Sequence, residues 1–258
     1  MKTYLDEIIR WHLDEKITAD LNENEILRIS SSTSPSKSFS SAIISQENIS
    51  VIAEIKKKSP SLGYINKEVL VGRQALRYKR GGAACISVLT DGNFFDGKNE
   101  DLLTVRSTVD LPILRKDFVV RRSDVFESKV IGADAILLIV AALSDSDLKE
   151  FISLAKELNM EALVEIHDLN ELDRAIDAQA EIIGVNQRDL YTFEVDRSRA
   201  LKLAEQIPNT LVKVAESGIK DRSDIIELES AGYDAVLIGE LLMKSEDCEA
   251  ELRNLMVR

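Results

Sequence analysis

The sequence predicts an α/β protein closed as a (β/α)8 TIM barrel with an N-terminal helical extension. Three observations carry that reading. From residue 51 onward, short β-branched apolar runs alternate with longer stretches of helical period, the mark of repeated βα units. The runs number eight and recur about every 20 to 33 residues, as such a barrel requires. A chain of 258 residues that is 45% hydrophobic can also bury a sizeable core and has the length of a single barrel. The competing doubly wound sheet would place G-x-G-x-x-G or G-x-x-x-x-G-K-[ST] after a strand, and neither pattern occurs there.

In chain order, residues 1–48 read as a helical extension and linker packed on a barrel of residues 49–258, a single domain overall. Residues 1–29 suit one or two amphipathic helices, followed by the serine-rich SSSTSPSKSFSS from Ser30 to Ser41. This segment is either a helical cap with a solvated linker or a mobile cover over the barrel mouth, and nothing in it decides between them. The strands are VIAEIK from Val51, ACISVLT from Ala84, PILRK from Pro112, DAILLIV from Asp134, ALVEI from Ala162, IIGVN from Ile182, VKVAES from Val212 and DAVLIG from Asp234. Among the helices between them, one runs from Asp145 with Ser144 as its cap, and another from Asp221 ends at Gly232.

Composition narrows the function. The formal net charge of −12 and the lack of an arginine-rich stripe argue against a nucleic-acid partner. A small anionic substrate is still compatible with that charge, because salt screens distant acids over about 8 Å. No apolar run reaches the roughly 18 residues of a membrane span, and Met1 to Trp11 lacks the order of a signal peptide, so a soluble cytoplasmic protein is expected. Cys85 and Cys248 have neither the number nor the spacing of a disulfide framework and are expected to be reduced. A monomer is expected, with a homodimer as the alternative.

Strand parity sorts side chains between the barrel interior and the surrounding helices. In the first strand Val51, Ala53 and Ile55 form an all-apolar face, so Ile52, Glu54 and Lys56 must point inward. By the same rule Lys116, Glu165, Asn186, Arg188 and Glu216 point inward from later strands, each towards or just past its carboxyl end. A single such charge could be structural. Six converging from five strands favour a site, since burying charge is costly unless it is neutralised or meets a charged ligand. Asp168 and Asp189 read as cap or loop acids. His12 and His167 have no second His within ligand spacing, so no metal or other cofactor is expected. Glycine turns at Gly218 and Gly239 follow the seventh and eighth strands, where barrels often hold phosphate against backbone N–H groups.

Six segments then invite a comparison: VIAEIKKKSPS (51–61), PILRKDFVV (112–120), LVEIHD (163–168), IGVNQRDL (183–190), VAESGI (214–219) and VLIGELLM (236–243). Together they resemble the indole-3-glycerol phosphate synthase family, from about Trp11 to Met243. LTDGNFFDG (89–97) resembles the family's T-x-x-x-x-F-x-G loop, with Phe95 as an aromatic wall. The resemblance implies that 1-(2-carboxyphenylamino)-1-deoxyribulose 5-phosphate loses CO2 and water to form indole-3-glycerol phosphate in tryptophan biosynthesis. It further implies Lys116 as general acid on the ketone oxygen and Glu165 as the group handling a proton during dehydration. Glu54, Asn186 and Lys56 would orient substrate and balance charge. Ser59, Arg188 and Lys56 fall near the anthranilate carboxylate, while Glu216 counts among the substrate-binding residues and Ser217, Gly218 and Gly239 fall at the phosphate.

The sequence departs from the family in two places. Glu240 stands where some relatives carry a small hydroxyl residue, and its side chain is expected either to turn to solvent, the favoured pose, or to be held by a neighbouring Lys or Arg. Leu62 stands in the loop after the first strand where a basic or small residue is frequent. The chain stops after the eighth βα unit, so no fused isomerase domain is expected. Two alternatives are kept: another phosphosugar barrel isomerase, whose chemistry would rest on Cys plus Asp or on paired Asp, and a non-catalytic or engineered barrel scaffold.

Overall fold

The computed structural model describes residues 3–14 and 36–256. Eight parallel strands close into a barrel: β1 Ser50–Ile55, β2 Cys85–Leu89, β3 Ile113–Lys116, β4 Ala135–Ile139, β5 Glu161–Ile166, β6 Ile182–Asn186, β7 Val212–Glu216 and β8 Ala235–Ile238. Each pairs with its sequence neighbours, and β8 closes on β1 in the register Ser50↔Ala235 to Ala53↔Ile238. These are the eight apolar runs read from the sequence. A two-strand hairpin, Lys58–Ser59 against Gly63–Tyr64, stands outside the barrel just after β1.

Parity produces two shells. Ile52, Leu114, Leu137, Leu163, Val214 and Leu237 fill the barrel interior, whereas Val51, Ala53, Ile55, Ile136, Val164 and Val236 pack against the outer helices. The helix Asp145–Glu157 starts where Ser144 accepts a hydrogen bond from the Asp147 N–H. Gly232, with φ +88°, turns the chain just beyond the helix Arg222–Ser230. Asp168 caps the helix Leu169–Asp177, and Asp189 accepts N–H bonds from Tyr191 and Thr192 within its loop. Both cysteines are buried and free. No helix among the described residues is long and apolar enough to cross a membrane.

The segment ahead of β1 serves both ends of the barrel. The helix Tyr4–Asp14 lies over the carboxyl end: the Tyr4 ring sits 5.7 Å from Phe94, in the short helix Gly92–Phe95 after β2, and 4.9 Å from Phe193, in the loop after β6. The helix Phe39–Ile44 closes the amino end. Its Phe39 and Ile43 are buried, and the Ile43 carbonyl accepts from the Ser50 hydroxyl at the start of β1. Ser40 donates from both N–H and hydroxyl to Glu161 at the start of β5, at 2.8 and 2.5 Å. The described part of the serine-rich stretch is thus anchored to the barrel floor through Ser40. Residues 15–29 and 30–35 of the expected helices and serine tract lie outside the described residues.

Candidate active site

All twelve residues singled out in the sequence line one cavity of about 590 Å³ at the carboxyl ends of the strands. Its centre is Lys116, the last residue of β3. The ammonium donates to Glu165 Oε2 at 2.8 Å and to Glu216 Oε2 at 2.9 Å. Asn186, at the end of β6, donates from Nδ2 to Glu165 Oε1 at 3.0 Å, and its own Oδ1 accepts the Arg188 N–H. Across the barrel, Lys56 donates to Glu54 Oε1 at 2.5 Å. Arg188 lies past the regular part of β6, on a loop bridged to Val195, and donates to the Phe193 carbonyl. Ser59 reaches the cavity from the hairpin after β1.

The electrostatics follow from burial and pairing. Burial alone would lower the Lys116 pKa, but the Glu165, Glu216 and Glu54 carboxylates outweigh it and raise it, so the ammonium stays charged. Its two carboxylate partners diverge. Burial works to raise Glu165, yet Lys116, His167 and the bond from Asn186 hold it below the usual carboxylate range. Burial pushes Glu216 up to about 7, with Lys116 opposing and Glu165 and Glu54 adding to the rise. Glu216 Oε1 has no hydrogen-bond partner among the described residues. Over the whole cavity, six basic side chains meet five acidic ones, so a chain of net charge −12 holds a local positive excess. An anion is the ligand such an excess favours.

The wall opposite the charges is apolar. Phe95 and Phe118 lie with ring centroids 6.2 Å apart, and Leu89, Ile139 and Leu190 continue the surface. At the rim Ser217 (φ +67°) and Gly218 (φ +78°) are both left-handed, a turn that a β-carbon at Gly218 would strain and drive into Val195. Gln187 fixes this turn by donating to the Ser217 carbonyl at 2.7 Å.

Glu240 stands at the cavity rim with its side chain 39% exposed, held by Lys244 at 2.6 Å, with Arg188 3.9 Å away. A β-carbon at Gly239 would run into the Glu54 carboxylate, so the glycine expected at the phosphate also leaves room for Glu54. The histidines are also less isolated than spacing implied. His12 Nε2 lies 2.9 Å from Asp91 and 4.0 Å from Asp117, a group compact enough to hold an ion. Those carboxylates are already engaged, Asp91 by the Phe94 and Phe95 N–H groups and Asp117 by Thr90, Arg115 and the Phe118 N–H.

Several residues escaped the sequence reading. Arg115 is fully buried on the helix-facing side of β3 and bonds Asp117, Glu127 and Ser128. An arginine at an apolar-face position of a strand is a signal that could have exposed it. Gly184 gives Glu216 its space, since a β-carbon there would meet Glu216 Oε1. The clue is a glycine inside a central strand. Gln187 and the His12 contacts carry no comparable pattern.

A closed parallel barrel with a charged cavity at the carboxyl ends of its strands, an ammonium set between two buried carboxylates, and a glycine turn at the rim make up the architecture of a (β/α)8-barrel enzyme. The family model for indole-3-glycerol phosphate synthase matches residues 6–255. The chain belongs to the indole-3-glycerol phosphate synthase family. Relatives bearing that name include one from Chlorobium chlorochromatii, 44% identical over 259 residues and covering 98% of this chain and 99% of that protein. Another, from Acetivibrio thermocellus, is 48% identical over 215 residues, 83% of each chain. Among solved structures, the chain is similar to a thiamine phosphate pyrophosphorylase from Pyrococcus furiosus, with TM-score 0.59 and 19% identity, covering 80% of this chain and 93% of that one. It is also similar to an N-acetylmannosamine-6-phosphate 2-epimerase from Clostridium perfringens, with TM-score 0.62 and 15% identity, covering 81% and 93%. At such identities the likeness shows the fold alone.

Proposed function

We propose that the chain is a carboxy-lyase of tryptophan biosynthesis that converts 1-(2-carboxyphenylamino)-1-deoxyribulose 5-phosphate to indole-3-glycerol phosphate, CO2 and water. The observation that carries this reading is the Lys116 ammonium, held charged between Glu165 and Glu216 on a cavity with an apolar wall. The ring carbon bearing the carboxylate attacks the ketone carbon, and Lys116 gives its proton to the oxygen as negative charge forms there. The bond to the carboxylate then breaks, CO2 leaves, and its electron pair restores the aromatic ring. In the dehydration that follows, a cavity ammonium gives a proton to the departing hydroxyl while ionised Glu165 takes one from carbon, so that step is proton-neutral. The Phe95 and Phe118 side faces the aromatic ring, with Lys56, Arg188 and Ser59 at the substrate carboxylate. The turn at Ser217 and Gly218, with the backbone at Gly239, takes the phosphate. Glu54 and Asn186 hold Lys56 and Glu165 in place.

The expected setting is the cytoplasm, with the protein working as a monomer and with neither cofactor nor metal. The isomerase alternative loses support from Cys85, which lies at the amino end of β2 against the Phe39 carbonyl, away from the cavity. The test is to supply the substrate and follow indole fluorescence and CO2 together. One CO2 per indole formed is expected; a product formed without CO2 points to an isomerase, and no turnover points to a binding scaffold.

A further inference from the structure

Behind the cavity, on the side of Glu165 away from substrate, lies a histidine that the proposed chemistry does not use. His167 follows the last residue of β5 and is 13% exposed. Its backbone N–H donates to Glu171 Oε2 at 2.7 Å, and its Nδ1 lies 3.1 Å from the same oxygen. Glu171 is itself fixed, because its N–H donates to Asp168, the cap of its helix. The ring is thereby pinned with Nε2 directed at Glu165 Oε1, 3.8 Å away. Nε2 is buried and has no hydrogen-bond partner among the described residues.

We infer that His167 is a positioning residue for Glu165: anchored on Glu171, its imidazole faces that carboxylate from behind the cavity and keeps it ionised when Lys116 turns to substrate. The inference rests on the proposed role of Glu165 as proton acceptor. With Nδ1–H donated to Glu171, a neutral ring would aim a lone pair at the Glu165 carboxylate. A protonated ring aims an N–H at it instead. The separation exceeds a hydrogen bond, so the contact is one of charge.

Other groups set the balance. Burial works against a charged imidazole, the Glu171 bond and the Glu165 and Glu171 charges favour it, and Arg199 from the helix Ser198–Ala204 opposes it, with the net shift upward. Glu165 is faced by Lys116 from β3 and Asn186 from β6, while Glu216 from β7 shares the Lys116 ammonium. Once Lys116 has given its proton away, it no longer offsets the Glu165 charge. His167 is then the cation left beside that carboxylate among the described groups that shift it.

The test is a carbon-13 titration of glutamate carboxyls in the full chain, with Glu165→Gln identifying the Glu165 signal. In His167→Gln the acid dissociation constant of Glu165 is expected to fall about tenfold or more, as loss of an opposite charge at this range implies. Glu171→Gln, which keeps the ring but removes the carboxylate favouring its charge, is expected to move Glu165 the same way by less. An unchanged Glu165 titration in both variants overturns the inference. If His167→Gln does not fold, an unchanged titration in Glu171→Gln alone overturns it. The limb of kcat against pH that follows Glu165 should move to higher pH with the carboxyl signal, with KM within about threefold. A shifted carboxyl signal with an unmoved kcat profile upholds the His167 contact and removes Glu165 from the reaction, so the two readings fail separately.

Discussion

Arg115 and Lys116 are neighbours on β3 that face opposite ways, and their surroundings differ in kind. Arg115 points outward to the helices and is 1% exposed. Its guanidinium donates to Asp117, Glu127, Ser128, the Asp124 carbonyl and Thr90, so its donor edges are occupied by fixed partners. Lys116 points inward to a cavity. Among the described residues it has two carboxylate partners, one of which carries an oxygen with no partner there and is pushed up to about 7 by burial. A buried charge with every bond closed belongs to the scaffold. A buried charge in an unbalanced set beside open space is prepared for a ligand.

The sharpest way to break this contrast is to remove each cation in turn. Lys116→Met is expected to reduce kcat by about 10²- to 10⁴-fold or more while a non-reactive substrate analogue still binds. It also strands the buried Glu165 carboxylate, so stability should fall as well, but by less than in the arginine variant because Glu216, already pushed up to about 7, can take up a proton. Arg115→Met is expected to do the reverse, lowering unfolding free energy by about 3 to 5 kcal/mol through stranded Asp117 and Glu127, with activity per folded molecule nearly kept. Urea unfolding and active-site titration on both variants would decide, and equal stability losses would erase the distinction.

A smaller effect follows from Glu216. Its folded pKa of about 7 lies above the ordinary value of 4.5. The folded state therefore prefers the protonated carboxyl. The stability this group contributes is complete below pH 4.5 and is lost as pH rises through 7. Glu216→Gln should remove that loss, so the variant gains on the parent between pH 4.5 and pH 8 in urea midpoint. A constant difference across that range would place the burden of the cluster elsewhere.

The smallest effect is expected at the rim. Glu240 is 39% exposed and paired with Lys244. Glu240→Ser should change KM by less than about threefold, and downward, because Lys244 and Arg188 are freed from a screened carboxylate. A drop of tenfold or more would mean that Glu240 stands directly in the place of the substrate's anion.

Sequence periodicity was enough to locate the strands and their inward faces, because a one-residue error in parity would have put Val51, Ala53 and Ile55 into a charged cavity. That is why Glu54, Lys116, Glu165, Asn186 and Glu216 could be gathered in advance. Arg115 was missed because its partners come from a loop and a helix, and parity says nothing of what lies beyond the strand. The contact of His12 with Asp91 spans 79 residues and depends on where a whole helix docks. Gly239 and Gly184 were legible as glycines, but the carboxylates they make room for are set by strand register, which no local pattern specifies. The pairing of Glu240 with Lys244 was legible, because an i,i+4 pair on one helix is a local pattern.

The helices Tyr4–Asp14 and Phe39–Ile44 hold the two ends of the barrel, and this bears on the order of folding. They leave the ribosome before any strand exists, yet their partners arrive much later: Asp91 and Phe94, then Glu161, and last Phe193. The clasp must therefore wait for most of the barrel and close among the final events. Contacts absent from the transition state slow unfolding more than they speed folding. The two short helices of the clasp thus set how long a finished barrel lasts more than how quickly it forms.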